Sequence, residues 1–222
     1  MRKTKFQIDG FYHLFTRGVD RRKVFLDDKN FIRFLTDLAE FNNESGDSQR
    51  KCEKRRKTDK TETKFRLEGK FSFLEMPKFV DIICYTLVPN HYHLLVKQLM
   101  ERGVERFMHK LNLGYTKYFN LLNDRSGSLF QGTFQSVEVE SDEQLLYLSS
   151  YINGNIEIHK IAKAADWQWS SYRDYLDKQK GTLRDKHPIL SQFKDVVEYK
   201  KYTDVVIREA AKRKQENKCH LE

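Results

Sequence analysis

The chain has 222 residues, 39% of them hydrophobic and 13% aromatic, enough for a core in one domain with an appendage or in two small domains. Its 41 Lys and Arg against 32 acids leave a net charge of +9, which favours a polyanionic partner such as nucleic acid. No apolar run approaches the roughly 18 residues of a membrane helix, and the basic start, Met1 to Ile8, lacks the apolar stretch of a signal peptide. Cys52, Cys84 and Cys219 are odd in number and form no CxxC pair, so neither a disulfide framework nor a zinc site is suggested and a reducing, cytoplasmic setting is expected.

Phe11 to Thr16 reads as an aromatic strand that Arg17-Gly18 breaks. Asp27 to Asn30 supplies helix-starting side chains, and Phe31, Phe34, Leu35, Leu38 and Phe41 follow at helical spacing. From Asn42 to Lys70 apolar residues nearly vanish. Between Arg50 and Lys70 there are ten Lys or Arg and four acids, a segment expected to be a charged insertion or projecting helix ends, and a further phosphate contact. Phe79 to Val88 is a buried-strand candidate, Pro89-Asn90 a turn, and His91 to Gln98 the next strand, together a hairpin. Glu105 to Leu122 is an amphipathic helix, Asn123 to Gly127 a loop, and Leu129 to Glu140 a further strand. Ser141 is placed to cap a helix that Gln144 supports as a capping box and that runs through Tyr151 toward Ile158. A last helix is expected over roughly Val196 to Lys214, with a basic end.

The order strand, helix, strand, strand, helix, strand predicts an α+β, ferredoxin-like or RRM-like antiparallel sheet with helices on one face, followed by a C-terminal helical extension. The expected division is 8–160, carrying the charged insertion at about 43–70, and 161–222.

On a strand, His91 and His93 share a face with their Cα atoms about 6.5 Å apart, close enough for both imidazoles to reach one ion. Their apolar flanks give the pair weight, because polar side chains in the middle of an apolar sheet need a reason. The alternative is two half-exposed histidines decorating a sheet. On the following helix, Tyr151 and Asn155 stand one turn apart. Tyrosine can act as a covalent nucleophile and an amide oxygen as a hard-metal ligand. The alternative makes Tyr151 a core aromatic and Asn155 a helix-end residue beside Gly154. Tyr115 and Tyr118, on the preceding helix, are rival nucleophiles whose simpler role is packing or base stacking.

Several of these runs together resemble the single-tyrosine transposases. Pro89-Asn90-His91-Tyr92-His93-Leu94-Leu95 looks like their His-hydrophobic-His motif. Gly127 to Phe134 (GSLFQGTF) resembles their Gly-x-Leu-aromatic-Gln-Gly-Arg-Phe segment, Tyr151-Ile152 with Asn155 their tyrosine helix, and Trp169-Ser170-Ser171-Tyr172 a downstream signature. Tyr12-His13, Arg17-Gly18 and Val24-Phe25 also fit, so the resemblance spans about residues 10–176 and is nearest to the transposases associated with repetitive extragenic palindromes. It implies that Tyr151 attacks single-stranded, hairpin-containing DNA to leave a 5′-phosphotyrosine, and that His91, His93 and Asn155 hold Mg²⁺ or Mn²⁺. Arg17, Arg21, Arg22, Lys110, Lys117 and Gln131 are the candidate DNA contacts, and the protein is expected as a monomer or homodimer. Three positions depart from the pattern: Gly154 before Asn155, Ile156 where proline is usual, and Thr133 where arginine is usual. A non-cleaving binder of hairpin or single-stranded nucleic acid and a phosphodiesterase that uses water are the competing readings; the first has no need of all five of His91, Tyr92, His93, Tyr151 and Asn155, and the second does not need Tyr151.

Overall fold

The computed structural model describes residues 5–44, 77–178 and 185–219. Its strands are β1 (Phe11–Arg17), β2 (Val80–Val88), β3 (His91–Gln98) and β4 (Gln135–Val139). The helices are α1 (Asp28–Glu40), α2 (Gly103–Leu122), α3 (Asp142–Ile158), the single turns α4 (Tyr172–Tyr175) and α5 (His187–Leu190), and α6 (Val196–Cys219). The four strands form one sheet in the order β2-β3-β1-β4, each neighbour antiparallel, the ferredoxin-like order expected from the sequence of elements.

Strand alternation sorts the side chains to two faces. Tyr12 and Leu14 of β1 join Tyr92, Leu94 and Val96 of β3 in a first core, closed by Phe31, Phe34 and Leu38 of α1 and Phe107, Met108, Leu111 and Tyr115 of α2. Its rings interlock: Phe34 meets Tyr92 at 4.7 Å and Tyr115 edge-on at 5.0 Å between centroids. Each such buried side chain stabilises the fold by roughly 1.5–3 kcal/mol before entropy is counted. β2 serves both faces: a register shift between Ile82 and Cys84 lets Ile83 and Cys84 both face a second core.

That second core lies across the sheet from α1 and α2. Ile83, Cys84, Val88 and Leu95 pack there against Leu145, Ile152 and Ile156 of α3 and against Tyr172, Tyr175, Tyr199 and Ile207 of the C-terminal region. The βαββαβ unit thus keeps its two helices on one face, and α3 with α6 covers part of the other. Trp169-Ser170-Ser171-Tyr172 secures this layer. Leu87 N donates to Trp169 O and Ser171 N to Tyr85 O, both at 2.9 Å, along the outer edge of β2. Ser171 Oγ donates to Asn153 Oδ1 of α3 at 2.6 Å, and Asn153 Nδ2 donates to the buried Tyr199 hydroxyl at 2.8 Å. The motif therefore ties strand edge, α3 and α6 into one buried polar network.

Most helix starts follow the sequence signals. Asp27 accepts from Asn30 N, and Ser141 accepts from Gln144 N at 3.2 Å. Gln144 reaches back one residue beyond the cap, accepting from Glu140 N at 2.8 Å. The strand expected over 129–140 is shorter, because 129–134 is a loop in which Gly132 takes a φ of 66°. This loop docks on the end of β1 through Gln131 N to Arg17 O at 2.8 Å and Val19 N to Leu129 O at 3.0 Å. Of the charged stretch, residues 45–76 lie outside the described residues; before it, Asn42 brackets the start of β2, donating to Val80 O at 2.7 Å and accepting from Val80 N at 3.0 Å.

Candidate active site

His91 and His93 alternate with Tyr92 on β3 and point away from the first core. Their rings stand edge to face with centroids 5.1 Å apart. In the β1–β3 register His93 pairs with Phe15 and His91 with Arg17, so β1 delivers its own odd-numbered side chains to the same face. One of these is His13, whose Nε2 lies 2.8 Å from His93 Nδ1 in a buried hydrogen bond. On the other ring, Nδ1 of His91 lies 2.7 Å from Asn90 Oδ1; an amide oxygen only accepts, so the imidazole donates. Both Nδ1 atoms are thus engaged, which leaves Nε2 of each ring as the nitrogen for a ligand. Partners of this kind fix ring orientation and tautomer in metal sites.

Burial is the main force on these rings. It pushes His13 and His91 down to about 4 and His93 well below the usual histidine value. The neighbouring imidazoles, Lys214 and, for His91, Arg17 push in the same direction. All three imidazoles are neutral at pH 7, the form that binds metal.

α3 crosses this face and carries Tyr151 and Asn155 toward the histidines. The Tyr151 ring stands edge-on to His93 with centroids 6.2 Å apart. Burial raises its pKa, the Tyr147 ring one turn earlier raises it further, and the Asn155 amide opposes them. Tyr151 is therefore a phenol at neutral pH, half-exposed and beside His93. Asn155 is fully buried, and neither its amide oxygen nor its nitrogen has a hydrogen-bond partner of good geometry. It nonetheless lies close enough to His91 and Tyr151 to act on the proton affinity of both. A buried amide left unpartnered costs about 1–3 kcal/mol and calls for an explanation.

Among the described residues no group of three or more His, Cys, Asp and Glu side chains is set to hold a metal ion. A divalent ion at this place would rest on the two imidazoles and the Asn155 oxygen. The neutral rings, their engaged Nδ1 atoms and the orphaned amide fit that set. Gly154, one of the three departures from the motif pattern, has a structural role: a Cβ there would come within 2.3 Å of Ile207 Cγ1, so the glycine lets α6 lie directly against α3.

The candidate DNA contacts divide. Arg17 and Gln131 border the site; Arg17 Nε donates to Gln131 Oε1 at 2.6 Å, beside His91. Arg21 and Arg22 lie in the 3-10 turn after β1 or at its end, and Arg22 is held by Val19 O at 3.0 Å and Asp20. Lys110 and Lys117 are on α2, whose helix packs on the opposite face of the sheet; Lys110 donates to Asn43 O and lies over the Phe79 ring. Tyr115 is fully buried in the first core, its hydroxyl donating to Val24 O at 2.6 Å. Tyr118 faces Arg33, 5.5 Å over its ring, in the same layer.

Sequence reasoning passed over three residues here. His13 could have been found from its odd-numbered place on β1, had the register with β3 been known. His159, just past the end of α3, lies tilted beside His91 with ring centroids 5.0 Å apart, and Lys214 of α6 donates to its Nδ1 at 2.7 Å. Nothing in the spacing of His159 and Lys214 signals that pairing, because it depends on how α6 docks.

Comparison with known proteins finds two similarities. Residues 51–155, a span that includes His91, His93, Tyr151 and Asn155, match the family model described as "Transposase IS200 like". One similar solved structure is described as "Structure of the REP associates tyrosine transposase bound to a REP hairpin"; it is 11% identical, with a TM-score of 0.49 over 83% of this chain and 93% of that one. No curated protein matches. Residues 51–155 are thus similar to the IS200-like transposases, the kind of protein that the sequence motifs resemble.

Proposed function

We propose that this protein cuts and rejoins single-stranded DNA through a covalent link to Tyr151. The carrying observation is the convergence of Tyr151, Asn155, His91 and His93 on one face of the sheet, with the phenol ring 6.2 Å from that of His93. Tyr151 Oη bonds to the phosphorus, the bond from phosphorus to the 3′ oxygen breaks, and that oxygen leaves with a proton as a 3′-hydroxyl. The phosphodiester energy is stored in the phosphotyrosine, so a second 3′-hydroxyl can reverse the step without an external energy source.

The residues of the chain divide the work. Burial keeps Tyr151 protonated. His13 and Asn90 hold the two imidazoles by their Nδ1 atoms. His91, His93 and Asn155 are the ligand set for Mg²⁺ or Mn²⁺, which when bound polarises the phosphate and offsets its developing charge. Arg17 and Gln131 frame the site from the end of β1, and Arg21 and Arg22 extend a basic margin along the turn. The catalytic unit in this reading is 8–160, with 161–222 an extension docked on α3. The partner is single-stranded or hairpin DNA, the setting cytoplasmic, and the active species a monomer or homodimer. No helix among the described residues is long and apolar enough to cross a membrane.

The test incubates the protein with end-labelled single-stranded hairpin DNA and Mn²⁺ and separates the products on a denaturing gel. The expected result is a covalent adduct that Tyr151→Phe and His91→Ala each reduce at least about a thousandfold, given what single members of a catalytic unit contribute. Cleavage that survives Tyr151→Phe points instead to attack by water, and tight binding without cleavage by the unaltered protein to a binding module.

A further inference from the structure

We infer that Lys214 and His159 form a phosphate-binding subsite beside His91, supplied by the C-terminal helix. The inference deepens the transposase reading and rests on it for the identity of the anion, a DNA phosphodiester at or next to the scissile bond.

The geometry begins at the α3–α6 seam. Ser150 and Thr203 share a hydrogen bond at 3.0 Å, Gly154 lies against Ile207, and His159 takes a bond from Lys214 at 2.7 Å. These three contacts follow one another in the same order along both helices. The seam therefore carries the charged end of α6 along α3 until Lys214 arrives at His159, whose ring is 5.0 Å from that of His91. An ammonium only donates, so His159 Nδ1 accepts and its Nε2 is left to carry the ring proton. The pair presents donors on the same side of the sheet as Tyr151.

Charge points to the ligand. Among the described residues the full charges that act on His91 and His93 are positive, Lys214 for both and Arg17 for His91, and no carboxylate is among them. Protein-built divalent-cation sites usually include carboxylates that neutralise the ion. Here two cations from opposite ends of the chain flank neutral ligands instead, an arrangement suited to an anion that arrives with the substrate. Gly154 leaves room for this docking, since a Cβ there would meet Ile207 Cγ1 at 2.3 Å.

The test measures binding of a fluorescently labelled single-stranded oligonucleotide by anisotropy, in EDTA and across a salt series, and in parallel the rate of adduct formation with Mn²⁺. Lys214→Met is expected to weaken binding several-fold and to reduce the slope of log affinity against log salt by about 0.7, the value for one lost phosphate contact on a single strand. Lys214→Arg restores both, and Lys212→Met, an exposed lysine two residues away, changes neither. In the adduct assay Lys214→Met slows the reaction at least tenfold. Unchanged slope and adduct rate in Lys214→Met overturn the inference, as does an equal loss in Lys212→Met, which would mean only diffuse charge. Absence of any adduct from the unaltered protein would sink the tyrosine reading while the EDTA salt series still decides the phosphate contact.

Discussion

Tyr12, Leu14, Tyr92 and Leu94 point from β1 and β3 into the first core, and His13, Phe15, His91 and His93 point the other way from the same two strands. The first set is sealed by two helices rich in phenylalanine and has its polar atoms satisfied, as in the bond from Tyr92 to Asn112. The second holds neutral, hydrogen-bonded imidazoles and faces the Asn155 amide of α3, which has no partner of good geometry. Two strands of period 2 thus provide a rigid scaffold and a reactive surface at once, each residue of the site being backed by a residue of the core.

The sharpest way to break this contrast is to alter neighbours on β3. Tyr92→Ala empties a fully buried site and is expected to cost about 3–5 kcal/mol in urea unfolding. His93→Ala should cost far less stability and abolish adduct formation. If the two losses came out equal in both assays, the division between faces would be wrong.

Acid provides a second probe. His13 is held near 4 against an ordinary value of about 6.5. Between those values the unfolded chain binds a proton that the folded chain refuses, so stability is complete above pH 6.5 and is lost as pH falls toward 4. Unfolding followed at pH 7 and pH 5 should show a loss of about 2 kcal/mol from this residue, and His13→Gln should flatten the dependence. An unchanged slope in the variant would show that the acid sensitivity arises elsewhere.

His13 also separates support from chemistry. With its bond to His93 removed, Mn²⁺ affinity measured by calorimetry is expected to fall about 10- to 100-fold. Equal affinity in His13→Ala would leave His13 as packing. The smallest effect is expected on the far face, where Lys117→Ala should change DNA affinity less than about twofold, as one exposed phosphate contact at most; a larger loss would bring α2 into the DNA-binding surface.

Much of this arrangement was legible in the sequence. Alternation over 11–16 and 91–98, the Pro89-Asn90 turn and the caps at Asp27 and Ser141 lead to the observed strands and helices. Local periodicity puts His91 with His93 and Tyr151 with Asn155 on shared faces but leaves sheet decoration and core packing open; the resemblance to the single-tyrosine transposases singles them out. What was not legible depends on pairing across the chain. His13 joins the site only through the β1–β3 register, and Gly154, which reads locally as a helix-weakening residue, is explained only by Ile207. His159 and Lys214 meet through the same docking. The alternation of Val137 and Val139 predicts a strand over 129–140, but Gly132 and the end of β1 set the path of 129–134 as a loop.

The central claim is that Tyr151 is the residue that becomes joined to DNA, and mass spectrometry of the trapped adduct tests it most directly. Tyr147, stacked one turn away at 6.2 Å, is the nearest rival. After nuclease and protease digestion, the account predicts a nucleotide remnant on Tyr151, assigned by fragmentation within the peptide that holds both tyrosines. A remnant on Tyr147, Tyr115 or Tyr118, or cleavage that leaves no tyrosine modified, would contradict it.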